Sequence, residues 1–409
     1  MKYACIGEHL RHSFSKEVHN ALADYEYEIF EVAKNELDAF MKKRDFLGIN
    51  VTIPYKEAVI PYLYEIDEAA RAIGAVNTVV NKNGKLYGYN TDFYGMSELF
   101  RYNNISPSGK KAVILGSGGT AKTARAVLTA LGASEIITVS RGEKEGAVSY
   151  ETLYKSHTDA AIIVNTTPVG MFPNTEACPV DLSKFTRLSG VVDAVYNPLR
   201  TALVSEAIEK GITATGGLFM LVAQAVRASE LFTGNTYKNG ELQSVYKKIL
   251  SEKENVVLVG MPSSGKSTVG KELSKILSRE LYDSDTLITE RYGNISEIFA
   301  RLGEGAFREY ETEVIKELSA KTGVIIATGG GAVLRRENVE ALKRNGKIFF
   351  LDRALENLIP TSDRPLSSSN EALKKRFEER YPIYKEISDF RIEVSGTPLS
   401  VSEKIKELL

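Results

Sequence analysis

Cysteine is nearly missing from this chain: its 409 residues include only Cys5 and Cys178. They lie far apart with no metal-type spacing, which argues against a disulfide framework and a structural zinc site and points to a reducing, cytoplasmic compartment. A charge excess is missing too, since Lys+Arg 52 against Asp+Glu 53 leaves a formal net charge of −1. With no basic field to neutralise phosphates non-specifically, nucleic acid is not an expected partner. No apolar run approaches the ~18–20 residues of a membrane span, so a membrane is not expected either. The opening Met1-Lys2-Tyr3-Ala4-Cys5-Ile6-Gly7 reads as a strand entering a turn rather than as a cleavable signal. Repeats of roughly 20–50 residues and low-complexity tracts are also absent. These absences exclude a secreted scaffold, a membrane protein and a disordered chain.

What is present suits an α/β protein of several domains. Apolar residues make up 43% and charged residues 26%, and at roughly 100–200 residues per domain the length predicts two or three. Short β-branched runs alternate with helical patterns, the signature of parallel α/β units. Two runs lead into a glycine-rich turn followed by a helix: Ala112-Val113-Ile114-Leu115 before Gly116, and Val256-Val257-Leu258-Val259 before Gly260. They lie too far apart for one nucleotide fold to need both. Between them the polar, lysine-rich stretch from Thr233 to Asn255 holds the main boundary, and the turn-rich Tyr102–Gly109 a second one.

The first turn, Gly116-Ser117-Gly118-Gly119-Thr120-Ala121, fits the dinucleotide pattern G-x-G-x-x-G/A. Its glycines permit a tight turn and close backbone approach to a pyrophosphate seated on the positive helix N-terminus. The next strand ends in Ser140-Arg141, where an NAD-binding unit usually carries an acidic residue. Arginine there suits a 2′-phosphate, which favours NADP over NAD. Three further segments carry polar chemistry: His12-Ser13-Phe14-Ser15, Asn50-Val51-Thr52-Ile53-Pro54-Tyr55-Lys56 and Asn90-Thr91-Asp92. Hydride transfer to a carbonyl needs a proton donor beside the oxygen, which a lysine paired with an aspartate supplies, and hydroxyl-binding groups, which Ser, Thr and Asn supply.

With these motifs in order, and with Gly74-Ala75-Val76-Asn77-Thr78, Asn165–Met171, Asp193–Pro198 and Gly217–Ala225, the chain from residue 1 to about residue 235 resembles shikimate dehydrogenase. The resemblance implies NADPH-dependent reduction of 3-dehydroshikimate to shikimate, with Lys56 and Asp92 as the catalytic pair. It implies that Ser13, Ser15, Thr52, Asn77, Tyr196 and Gln224 hold the substrate, and that the cofactor lies on Gly116–Ala121 with Ser140 and Arg141 at its phosphate. Two departures stand out. Lys16 follows the paired serines where the family usually has proline, and Ser140-Arg141-Gly142 replaces Asn-Arg-Thr.

The second turn, Gly260-Met261-Pro262-Ser263-Ser264-Gly265-Lys266-Ser267, fits G-x-x-x-x-G-K-[ST] after a buried strand. Its backbone N–H groups cradle phosphates, Lys266 reaches the β/γ-phosphates, and the Ser267 hydroxyl ligates Mg²⁺; with Thr268 these residues form the expected ATP site. The acceptor must be read from the remainder. Asp283 and Asp285 end the next apolar segment, Arg308 follows Gly303-Glu304-Gly305, and Gly329-Gly330-Gly331 ends a strand. Arg364 lies in a serine-rich loop, and Arg380 precedes Tyr381-Pro382-Ile383-Tyr384. Phosphoryl transfer depends on positioning and charge neutralisation, so arginines converging from separate segments carry meaning.

Residues from about 255 to 409 thus resemble shikimate kinase. By that resemblance Asp283 helps hold hydrated Mg²⁺, Asp285 contacts the substrate hydroxyls as a base, and Arg308 and Arg380 clamp the carboxylate. Gly329, Gly330 and Gly331 supply backbone contacts, and Arg364 reaches the transferring phosphate. The family's adenine-stacking arginine is missing near Leu358, which shifts that contact to Arg353 or to apolar groups, and Thr289 stands where the family often has Glu.

The expected architecture is an α/β substrate domain (1–103, with helices of 217–235 packing back), a Rossmann NADP domain (104–216), a linker helix (236–254) and a P-loop, nucleoside-monophosphate-kinase-like α/β domain (255–409). The substrates would be small molecules, and the sequence leaves the oligomeric state open. Two other readings stay open at this level: one half acts as a silent ligand-binding module, or both chemistries act on a related acid such as quinate.

Overall fold

The short apolar runs of the first hundred residues form six strands: β1 (Tyr3–Gly7), β2 (Tyr27–Glu31), β3 (Gly48–Val51), β4 (Glu65–Ile66), β5 (Thr78–Lys82) and β6 (Lys85–Tyr89). Their sheet order is β2-β1-β3-β5-β6-β4. β1 pairs parallel with β2 and β3, whereas β5 runs antiparallel to both β3 and β6. This computed structural model describes residues 2–10, 13–238, 240–358 and 370–409, and the chain divides into two compact units, Met1–Ile249 and Leu250–Leu409.

The second sheet of the first unit contains β7 (Lys111–Leu115), β8 (Glu135–Val139), β9 (Ala147–Val148), β10 (Ile162–Asn165), β11 (Gly190–Asp193) and β12 (Thr213–Thr215). All its pairings are parallel, in the order β12-β11-β10-β7-β8-β9. That is the doubly wound dinucleotide arrangement: the chain leaves β7 toward one edge and returns on its other side. The first glycine-rich turn follows β7 at this switch point, where open α/β sheets bind ligands.

The second unit holds β13 (Asn255–Val259), β14 (Leu281–Asp283), β15 (Ile325–Ala327), β16 (Gly346–Asp352) and β17 (Phe390–Glu393), all parallel, in the order β14-β15-β13-β16-β17. Every residue of central β13 is buried. Val257 and Val259 pack into one core with Ile315, Phe350 and Tyr384, while Val256 and Leu258 face another with Leu273, Val401 and Ile405. The alternation of strand side chains thus feeds two layers, as expected of a parallel strand covered on both faces. Among the described residues no helix is long and apolar enough to cross a membrane.

One helix crossing positions the first site. The helix Leu218–Thr233, closed by Gly234 in the left-handed conformation (φ 77), packs on the helices Ser15–Leu22 and Thr91–Tyr102. A Cβ on Gly95 would lie 2.6 Å from the Met220 carbonyl oxygen and 3.0 Å from Gln224 Cβ. Only glycine admits that approach.

Candidate active sites

In the first sheet the chemistry gathers at one edge because of strand direction. β1 and β3 end there; β5, being antiparallel to β3, begins there; and β6, antiparallel to β5, ends there. The register sets Asn50 opposite Thr78 and Thr78 opposite Tyr89, so Asn77 and the Asn90-Thr91-Asp92 segment meet. Asn90 caps the helix Thr91–Tyr102 by accepting from the Phe93 N–H at 3.1 Å. That places Asp92 in the first turn, where the helix dipole favours a carboxylate.

Lys56 Nζ donates to Asp92 Oδ2 at 2.5 Å, with both side chains largely shielded (13% and 9% exposed). The same nitrogen lies 3.5 Å from Thr120 Oγ1, and a Cβ on Gly119 would be 3.4 Å from the lysine stem. The glycine-rich turn therefore packs on the lysine. Beside this pair, the Thr91 hydroxyl accepts from Asn77 Nδ2 at 3.0 Å, lies 2.9 Å from the Thr78 hydroxyl and donates to Gln224 Oε1 at 3.3 Å. Asn50 Nδ2 donates to Thr78 Oγ1 at 3.1 Å, while Tyr27 OH donates to Asn50 Oδ1 at 2.6 Å. Ser13 Oγ donates to Ser15 Oγ at 3.1 Å, and Phe14 packs against Tyr196 with ring centroids 5.3 Å apart. Burial pushes the Tyr196 hydroxyl up to about 12, with a Ser13 hydrogen bond opposing it. Thr52 follows β3 and donates its backbone N–H to the Ile6 carbonyl at 2.9 Å, beside Gly7 rather than in the Asn77–Gln224 network.

The turn itself is built for close approach. Gly116 has φ 109, and a Cβ there would lie 2.7 Å from Thr166 Oγ1; Gly118 caps the helix Gly119–Ala130. A Cβ on Gly118 would meet nothing within 4 Å, which leaves its open side to a phosphate at the helix N-terminus. The hydroxyls of Ser117 and Ser140 lie 3.5 Å apart, Ala121 is buried, and Arg141 is exposed just beyond β8. On the same sheet, Asp193 is buried and accepts from Asn165 Nδ2 (3.0 Å), the Val195 N–H (3.0 Å) and Thr201 Oγ1 (2.7 Å). Burial still pushes its carboxyl up to about 7.

In the second unit the phosphate loop departs from ordinary backbone at Gly260 (φ 148), Ser263 (φ 63) and Gly265 (φ 98). Lys266 is buried and folds back to donate to the carbonyls of Gly260 and Met261, each at 2.9 Å. Ser264 is buried within the loop, and Thr268 is exposed on the helix Lys266–Leu277. Ser267 Oγ donates to Asp283 Oδ2 at 2.6 Å, and Asp283 Oδ1 caps the next helix by accepting from the N–H groups of Asp285 and Thr286. Among the described residues no group of three His, Cys, Asp or Glu side chains could hold a metal. The Ser267–Asp283 pair fits Mg²⁺ instead, which keeps most of its waters and takes few protein ligands.

A cavity of about 390 Å³ adjoins this loop, lined by Pro262, Asp285, Phe299, Phe307 and Glu311, with Gly329, Gly330, Gly331 and the arginines 308, 376 and 380. Its glycines make room for the charged groups. A Cβ on Gly329 would lie 2.5 Å from Asp285 Oδ1, one on Gly330 would lie 2.9 Å from Pro262, and one on Gly331 would strike the Arg308 guanidinium. Gly303, with φ 83, breaks the helical run Ile295–Ser319 just before Glu304 and so aims Arg308 inward. Arg308 donates to Glu311 at 2.7 Å and to Glu304 at 2.8 Å. Burial works against its charge, but Glu311 and then Glu304 outweigh it and hold the guanidinium above its ordinary value. Glu311 is 1% exposed and is raised by burial, with Arg308 opposing. Arg380 is buried and hydrogen-bonds Tyr384, whose hydroxyl donates to the Gly330 carbonyl at 2.5 Å. Arg364 falls outside the described residues.

Glu311 and Arg376 escape the sequence reading, whereas Asn50 and Thr78 fall inside the motifs quoted there without a role of their own. Helical spacing could have found the first two: Glu311 lies one turn after Arg308, and Arg376 one turn before Arg380. The pairing of Asn50 with Thr78 carries no local signal, since only strand register joins them.

Two family models match the chain: one described as shikimate dehydrogenase substrate binding domain at residues 5–79, and one described as shikimate kinase at residues 262–409. The shikimate dehydrogenase (NADP(+)) of Clostridium perfringens strain SM101 is 37% identical over 265 residues, covering 60% of this chain and 97% of that protein. The crystal structure of shikimate dehydrogenase 1 from Peptoclostridium difficile is 34% identical with a TM-score of 0.57, covering 61% of this chain and 98% of that one. Shikimate 5-dehydrogenase from Thermus thermophilus, solved in complex with NADP(H) and shikimate, is 30% identical with a TM-score of 0.55, covering 61% of this chain and 99% of that one.

Proposed function

The chain belongs to the shikimate dehydrogenase family over the 60% of its length that those enzymes match and continues into a shikimate kinase domain; from that premise we propose that Lys56 and Asp92 serve a reduction whose product the second site phosphorylates. The protein is a bifunctional enzyme of the shikimate pathway, acting in the cytoplasm. The working division is residues 1–103 with 217–235 for the first substrate, 104–216 for NADP and 255–409 for the kinase.

At the first site bound NADPH supplies a hydride to the carbonyl carbon of 3-dehydroshikimate. The Lys56 ammonium gives its proton to the oxygen as charge builds there, and Asp92, 2.5 Å away, holds Nζ in place. Asn77 and Gln224, tied together through Thr91, orient the ring hydroxyls, and Ser13, Ser15, Thr52 and Tyr196 hold the carboxylate end. Arg141 and Ser140 would hold the 2′-phosphate of NADP, and Gly116–Ala121 would cradle its pyrophosphate.

At the second site bound Mg-ATP supplies the phosphoryl group together with the divalent charge that neutralises it. The Gly260–Ser267 backbone and Lys266 hold the phosphates, and Ser267 with Asp283 holds the cation. Asp285 takes the proton from the shikimate hydroxyl, and Arg308 and Arg380 bind the carboxylate. The single observation carrying the reading is the Lys56–Asp92 contact at the glycine-rich turn, 3.5 Å from Thr120.

Purified full-length protein given 3-dehydroshikimate and NADPH should consume the cofactor and, on addition of Mg-ATP without added shikimate, release ADP. Lys56→Ala should lower the first rate by about 10³-fold and spare ATP use on added shikimate, and Lys266→Ala should do the reverse. Loss of both activities with either change would break the two-site reading.

A further inference from the structure

The cavity of the second unit is lined by three guanidiniums, Arg308, Arg376 and Arg380, and by three carboxylates, Asp285, Glu290 and Glu311. Arg308 commits Nε and Nη2 to Glu304 and Nη1 to Glu311. Several of the N–H donors a guanidinium can offer are thus already engaged with the protein's own carboxylates. Arg380 is buried, spends a hydrogen bond on Tyr384, and keeps its Nε without a partner. Arg376 lines the same cavity from the helix Asn370–Ile387, one turn before Arg380 and on the same face.

We propose that Arg376 is a third guanidinium of this pocket and that, together with Arg380, it sets the kinase's preference for a substrate bearing a carboxylate. The role rests on the shikimate kinase reading given above and adds to it a residue that neither glycine-rich turn nor paired aspartates would identify. Burial holds the Arg376 guanidinium below its ordinary value, Arg380 adds to that, and Arg308 does so further, with Glu304 and Glu379 opposing. Arg376 thus stands in the repulsive field of Arg380 and Arg308, which Glu304 and Glu379 offset in part and which an entering anion relieves further. A planar carboxylate suits that wall because its two oxygens accept from two forks at once.

The test uses the full chain and steady-state kinase kinetics. Arg376→Ala should raise KM for shikimate about tenfold, with kcat and KM for ATP near the parent values, a loss typical of one charge-assisted contact. Arg376→Lys should recover only part of it, because an ammonium keeps the charge and loses the fork. With shikimate methyl ester, which lacks the anion, parent and Arg376→Ala should perform alike. The role is overturned by a shikimate KM within about twofold of the parent, by an equal penalty on the methyl ester, or by a parallel rise in KM for ATP. Failure of the parent protein to phosphorylate shikimate is a separate result, visible before any variant is compared, and would remove the kinase reading itself.

Discussion

Lys56 and Lys266 both stand at a glycine-rich turn, but they arrive there by different routes. Lys266 belongs to its own turn and bonds to the carbonyls of Gly260 and Met261, a few residues back along the chain. Lys56 comes from a segment after β3, finds its carboxylate on the helix Thr91–Tyr102, and meets the turn at Thr120. The kinase lysine is positioned by local backbone geometry. The dehydrogenase lysine is positioned by three elements that only the fold assembles, which makes it the more dependent of the two on residues elsewhere.

The sharpest way to break this contrast is to remove the partner that tertiary structure supplies. Asp92→Asn should cost the reduction about 10³-fold in kcat, since the lysine loses the carboxylate that orients it, while ATP use on added shikimate stays unchanged. Retention of most of the reduction would mean that Lys56 holds its geometry alone, as Lys266 does.

A second test concerns the buried charge of the dinucleotide sheet. Burial lifts the Asp193 carboxyl from an ordinary 3.8 to about 7. Between about pH 4 and pH 7 the folded chain holds a proton there that the unfolded chain has released, so this group's stabilisation is full at low pH and is lost as pH rises to about 7. His19, buried and pushed down to about 3, acts oppositely: its contribution is full above about pH 6.5 and is lost as pH falls. Asp193→Asn removes only the first effect. In urea titrations the variant should gain up to about 4 kcal/mol on the parent between pH 4 and pH 7. A difference that stays constant with pH would show that the carboxyl is ionised throughout.

The smallest effect is expected at the helix crossing. Gly95→Ala pushes a methyl group toward the Met220 carbonyl and Gln224, and overpacking of this kind costs about 1–3 kcal/mol. Because Gln224 is displaced with it, KM for 3-dehydroshikimate should rise while kinase kinetics stay level. An unchanged KM would separate the crossing from substrate binding.

Much of this molecule is legible along the chain where the chemistry is local. Both glycine-rich turns and the strands that lead into them are read from residue types at short spacing, because phosphate cradles are built from consecutive backbone; Asp283, Asp285, Arg308 and Arg380 come instead from the resemblance to shikimate kinase. The α/β class follows equally from alternating apolar runs. Glu311 and Arg376 are one helical turn from Arg308 and Arg380, but neither is part of a recognisable motif.

The chain alone thus specifies the two nucleotide turns, since such a turn must be contiguous and glycines such as Gly116 and Gly260 cannot be replaced without strain and collision. Which side chains work together follows from the fold: the antiparallel return of β5 and β6 that sets Asn77 beside Thr91, the close crossing at Gly95 that delivers Gln224, and the approach of Lys56 to both Asp92 and Thr120. The physical reason is range. A hydrogen bond acts over about 3 Å, and the residues that make these bonds become neighbours only through strand pairing and helix packing.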